Sequence, residues 1–193
     1  MKKESCSIMI VGVGGQGTLL TSRILGSVFM NAGIDVKVSE VHGMSQRGGS
    51  VVTYVRCAEN VRSPVISEGD ADYILAFEEL EAARYISYLK PEGVMIVNPL
   101  KITPATVAEG SYPEGVIEKL EQTGANVVTF DATAIAKEAG NIKSINVAVL
   151  GRLARLMPFA YEEWIASLTE HVREEFIGLN KKAFDLAYYD PSV

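Results

Sequence analysis

Cysteine, histidine and tryptophan are scarce in this 193-residue chain: it has two, two and one of them. The cysteines, Cys6 and Cys57, lie far apart in sequence, and two thiols cannot build a four-cysteine cluster or a zinc site within one chain. Each sits in or beside an apolar run and reads as a small buried thiol rather than half of a disulfide. No basic block of five or more residues occurs and the formal net charge is −6, which argues against a nucleic-acid partner. No apolar run is long enough to span a membrane. The charged start Met1-Lys2-Lys3-Glu4-Ser5 leads into a run too short for a signal peptide, so the cytoplasm is the expected location. The P-loop, the nucleophile elbow and the H-E-x-x-H zinc signature are all missing, and no Ser/His/Asp set reads as a triad. Alone, the chain has too few catalytic groups for a complete enzyme.

Apolar residues make up 48% of the chain, enough for one sizeable core. Strands are expected over 7–11, 34–41, 51–56, 73–77, 94–97 and 126–130, with a short extended piece at 65–67. Helices are expected over 16–32, 78–89, 113–123 and 132–139, the last capped by Asp131. The first strand, first helix and second strand read as a β-α-β unit. From about residue 144 the pattern is helical. Ile145, Val149, Leu153 and Met157 form one apolar stripe, with Arg152 and Arg155 off it. Val172, Phe176, Leu179 and Ala183 form another. Trp164 and the scattered tyrosines read as packing, and His171 as structural. The whole is an α/β, Rossmann-like domain over 1–193: a mostly parallel sheet with helices on both faces and a helical C-terminal segment.

Two glycine-rich turns follow the first two strands. Gly12-Val13-Gly14-Gly15-Gln16-Gly17 matches G-x-G-x-x-G between a strand and a helix. Such a turn brings backbone N–H groups and a positive helix end to an anion, with Glu40 about where a ribose-binding acid belongs. The same glycines equally serve tight packing of helix on sheet. Gly15 and Gln16 are not demanded by a plain dinucleotide site.

The second turn, His42-Gly43-Met44-Ser45-Gln46-Arg47-Gly48-Gly49-Ser50, leaves the carboxyl end of the second strand, where open α/β sheets meet ligands. Arg47 beside Gly48 and Gly49 reads as an anion clamp or as a solvated arginine. His42 reads as a proton relay or oxyanion donor, or as a structural histidine. Ser45 and Gln46 complete the candidate loop, and Met44 reads as a filler of a core gap.

Together these two motifs resemble the gamma domain of the 2-oxoacid:ferredoxin oxidoreductases, and the His-Gly-Met and Gln-Arg-Gly-Gly variant looks most like the indolepyruvate branch. Ala71-Asp72-Tyr73-Ile74-Leu75-Ala76-Phe77-Glu78 and Asn141–Gly151 are similar to further family segments. The resemblance spans roughly 6–185. It implies oxidative decarboxylation of an aryl-2-oxoacid to an acyl-CoA, with electrons passed to ferredoxin. It also implies a large alpha subunit holding thiamine diphosphate, Mg2+ and [4Fe-4S] iron–sulfur clusters, and coenzyme A as co-substrate. Glu68-Gly69-Asp70-Ala71 is not the family's thiamine-binding Gly-Asp-Gly. No cofactor is therefore expected on this chain. The 42–50 loop would face the substrate carboxylate, the cofactor diphosphate or CoA. Two other readings stay open: a stand-alone NAD(P)-binding reductase and a non-catalytic nucleotide-sensing domain.

Overall fold

A computed structural model describes residues 5–42, 49–103 and 112–191. The elements in chain order are β1 (Cys6–Val13), α1 (Thr18–Asn31), β2 (Asp35–His42), β3 (Ser50–Ala58), β4 (Ala71–Ala76), α2 (Glu79–Tyr85), β5 (Leu89–Val97), α3 (Val116–Gln122), β6 (Val127–Thr129), α4 (Ala132–Ala139), α5 (Ile145–Ala154), α6 (Tyr161–His171) and α7 (Glu174–Tyr188). The expected α/β class and helical C-terminal segment are both present.

The sheet order is β2-β3-β1-β4-β5-β6. β1, β4, β5 and β6 run parallel, while β3 is antiparallel to both β1 and β2. The expected β-α-β unit is therefore modified: β2 does not lie beside β1, because β3 is inserted between them. The reason is in the side chains. β3 buries Val51, Val52, Val55 and Cys57, whereas β2 leaves Val38 and Val41 exposed and carries Lys37 and Glu40. The apolar strand takes the interior place and the amphipathic strand the edge, where charge also discourages further pairing.

Side chains on β1 alternate between two apolar layers. Ile8 and Ile10 face α1, α5, α6 and α7, around Leu25, Phe29, Leu150, Trp164 and Phe184. Met9 and Val11 face α2 and α3, around Ile74, Met95, Ala82 and Leu120. Asp131 caps α4 as expected, accepting from the Ala134 N–H at 2.8 Å.

One helical stripe needs correction, and one residue outside the other is buried. Arg152 lies off the expected α5 stripe yet is 3% exposed, because α5 is buried all round between the sheet and α7. Its guanidinium lies 5.3 Å from the Phe130 ring centroid and donates to the Asp190 carbonyl at 3.3 Å. Burial lowers its pKa. On α7 the buried face runs Asn180, Ala183, Phe184 and Ala187, leaving Phe176 and Leu179 at a half-exposed rim. Gly151 permits the α5–α7 contact, since a Cβ there would stand 2.6 Å from the Phe184 carbonyl oxygen.

Candidate functional site at the carboxyl edge

The parallel strands end in short segments that converge on one edge of the sheet. The turn after β1 is held by Gln16. Its side-chain oxygen accepts from the Val13 N–H at 2.6 Å, and its amide nitrogen donates to the Phe77 carbonyl at 3.1 Å. Asn98, wholly buried after β5, donates to the same carbonyl at 3.3 Å and to Thr133 Oγ1 at 3.2 Å. Polar side chains thus tie the ends of β1, β4 and β5 to the start of α4. The carboxamide of Gln16 lies directly over Gly12, where a Cβ would come within 2.7 Å of it.

Gly14 donates its N–H to the Gly49 carbonyl at 2.9 Å, joining the first turn to the start of β3. Gly17 is left-handed, at φ 85°, and leads into α1. α1 has no side-chain cap and no acid in its first turn. Its N-terminal end therefore keeps its positive dipole character toward this edge.

Glu40 reaches the same region despite the inserted strand. Thr18 Oγ1 donates to Glu40 Oε2 at 3.1 Å and Thr53 Oγ1 at 3.2 Å. His42 Nδ1 lies 3.7 Å from Glu40 Oε1, on a half-exposed ring at the end of β2. A ribose hydroxyl would have to compete with two threonines for Glu40. Of the other loop residues, Gly49 is placed as above. Gly43, Met44, Ser45, Gln46, Arg47 and Gly48 lie outside the described residues.

An acidic group that sequence reasoning passed over lines the same edge. Glu78 is 1% exposed and caps α2, accepting from the Glu81 N–H at 2.9 Å through Oε2. Its Oε1 accepts from the Ile102 N–H at 3.2 Å and from the Tyr112 hydroxyl. Burial and the Glu78 carboxylate push the Tyr112 phenol well above its usual range. Glu79 is 2% exposed and 3.5 Å from Lys101 Nζ. Burial raises its pKa. Glu81 accepts from Ser50 Oγ at 2.5 Å and pairs with Arg84 Nε at 3.2 Å. Burial pushes the Glu81 carboxyl up, while the Ser50 hydroxyl opposes that shift. The only visible signal was position: acids placed immediately after a strand end.

The edge therefore combines the uncapped N-terminus of α1, suited to an anion, with the buried carboxyls of Glu79 and Glu81, whose pKa values burial raises. No group of three or more His, Cys, Asp or Glu is arranged for a metal among the described residues. No helix among them is long and apolar enough to cross a membrane.

The Pyruvate ferredoxin/flavodoxin oxidoreductase family model matches residues 7–189. The indolepyruvate oxidoreductase subunit IorB of Thermococcus kodakarensis is 42% identical, covering 93% of both chains. Its counterpart in Archaeoglobus fulgidus is 40% identical over 94% of this chain and 93% of its own. The fold matches the crystal structure of pyruvate oxidoreductase subunit PORC from Thermotoga maritima, with a TM-score of 0.74, 22% identity and 97% coverage of each chain. The chain thus belongs to the pyruvate ferredoxin/flavodoxin oxidoreductase family.

Proposed function

We propose that this chain is the small subunit of an indolepyruvate:ferredoxin oxidoreductase. The observation that carries the reading is the 42% identity to an indolepyruvate oxidoreductase subunit over 93% of both chains. The reaction is oxidative decarboxylation of an aryl-2-oxoacid to its acyl-CoA, with two electrons passed to ferredoxin. Thiamine diphosphate, Mg2+ and the [4Fe-4S] clusters belong to a large partner subunit. Two cysteines in the whole chain do not fit a cluster that needs four thiolates. The chemistry of carbon–carbon cleavage and electron transfer is then the partner's, and this chain completes the site.

In that role the carboxyl edge is the surface turned to the reacting groups. Arg47 supplies a planar cation for the substrate carboxylate, the cofactor diphosphate or CoA. His42, backed by Glu40, supplies a hydrogen-bond donor at the end of β2. Gly12, Gly14, Gly15, Gln16 and Gly17 shape the floor, and Gly49 ties the loop to it.

The test is reconstitution. The chain is purified alone and after co-expression with a large thiamine- and iron–sulfur-binding subunit of the same organism. Indolepyruvate- and CoA-dependent reduction of ferredoxin is measured for both. The complex should turn over, and the isolated chain should be colourless and inactive. Turnover without a partner, or tight binding of a nicotinamide dinucleotide by the isolated chain, would overturn the subunit reading.

A further inference from the structure

Cys6 and Cys57, separated by most of the first third of the chain, face each other across the β1–β3 ladder. They are the first pair of that ladder, and Val13 with Ser50 is the last. The pair therefore sits at the end of the sheet opposite the glycine turn. Facing residues in an antiparallel ladder have Cα atoms about 4.5–5.5 Å apart. A disulfide spans Cα distances of roughly 4.4–6.8 Å. The two thiols lie on the same face, against the larger apolar layer. Cys57 is buried and Cys6 half-buried, and both are free.

Both cysteines line a cavity of about 780 Å³, also lined by Phe29, Ile34, Met157 and Phe159. Its polar lining is Ser5, Glu92, Glu163 and the pair in which Lys90 Nζ meets Asp72 Oδ1 at 2.6 Å. The cavity gives small solutes a route to an otherwise interior dithiol.

We infer that Cys6 and Cys57 form a dithiol–disulfide exchange site, oxidised to an intramolecular disulfide by a low-molecular-weight disulfide that enters this cavity. One protein thiolate attacks the small disulfide, forming a mixed disulfide and releasing one small thiolate, which takes up the proton. The second protein thiolate then attacks the protein sulfur of that mixed bond and expels the second small thiolate. Two protein thiols lose two electrons and two protons; the small disulfide gains both and becomes two thiols. The neighbouring thiol favours ionisation of Cys57 and disfavours that of Cys6, while burial and the Asp72 carboxylate oppose ionisation of both. Their shared register lets either sulfur resolve a mixed disulfide formed on the other.

The test uses the full chain, reduced, freed of reductant and incubated with glutathione disulfide under native conditions. Intact mass is read after acid quench and alkylation. The folded wild type should lose both alkylatable thiols together, with a mass decrease of two hydrogens and no retained glutathione. Peptide mapping should link residue 6 to residue 57. Cys6→Ser and Cys57→Ser should never show that mass decrease, only an adduct on the remaining thiol or none. The inference is overturned if wild type retains a glutathione adduct, if it dimerises through cysteine, if both thiols persist, or if the linkage forms only in denaturant.

Discussion

Asn146, at the start of α5, donates its side-chain amide to the backbone carbonyl of Gly17 at 3.2 Å, across 129 positions of sequence. The same amide nitrogen would stand 2.6 Å from any Cβ at Gly17. One contact thereby locks the first glycine turn to the C-terminal helices.

Gly17→Val should cost about 2–4 kcal/mol, since it adds a steric clash to a left-handed backbone at φ 85°. Gly15→Ala provides the contrast. Gly15 is also left-handed, at φ 98°, but nothing lies within 4 Å of its Cβ direction. Only backbone strain applies there, about 1–2 kcal/mol. Urea midpoints of the two variants separate the effects, and equal losses would refute the Asn146 clash.

At the other end of α5, Gly151→Ala should destabilise by about 1–3 kcal/mol. The new methyl would meet the Phe184 carbonyl oxygen at 2.6 Å, which is backbone and cannot rotate away. Thermal unfolding of the variant should move to lower temperature. An unchanged transition would mean that α5 and α7 separate without loss.

Ser50 and Glu81 give a pH-dependent prediction. Burial raises the Glu81 pKa, so the folded state favours the protonated acid, and its contribution falls as pH rises above the ordinary carboxylate range. Ser50→Ala removes the hydroxyl that opposes this shift, pushing the pKa higher still. The variant should lose about 1.5–3 kcal/mol at pH 7, as expected for a hydrogen bond to a charged group. The loss should shrink at pH 3, below the ordinary carboxylate range, where the carboxyl is protonated in both states. Urea denaturation at the two pH values checks this, and a pH-independent difference would contradict it.

Arg47→Ala should leave folding intact and lower kcat/KM of the assembled oxidoreductase about tenfold or more, the cost of one charge-assisted pair. Arg47→Lys should recover only part, because an ammonium lacks the planar fork. Steady-state kinetics with 2-oxoacid and CoA varied separately identify the ligand by whose KM rises. Wild-type constants in both variants would make Arg47 an ordinary surface residue.

The turn at Gly12–Gly17, the Asp131 cap and most strands are legible in the sequence because each depends on neighbours within a few positions. The β3 insertion is not, because period-2 patterning reports which face is buried but not which strand lies alongside. A repeat of four along α5 marks one apolar face. It says nothing of the second face, which α7 covers around Arg152. Glu78, Glu79 and Glu81 fall in the helix expected over 78–89, with no local pattern that marks them as buried. Glu78 and Glu79 meet Tyr112 and the segment after β5, and Glu81 meets Ser50, all distant in sequence. Likewise, no local pattern announces that Cys6 and Cys57 share a register.

The reversed direction of β3 has a consequence for how the carboxyl edge can vary. β2 and β3 are joined as a hairpin, with His42 paired to Val51. Parallel neighbours would need a long crossover instead. The connecting segment thus leaves and rejoins the ladder at nearly the same place. Closing such a loop costs chain entropy that grows only with the logarithm of its length. The ladder thus fixes the two ends of this connection, at His42 and Ser50, without dictating its length. The Gln16–Asn98 ties and the buried acids beneath have no such freedom. On the proposed role of the 42–50 loop, specificity drifts in that segment while the scaffold stays unchanged.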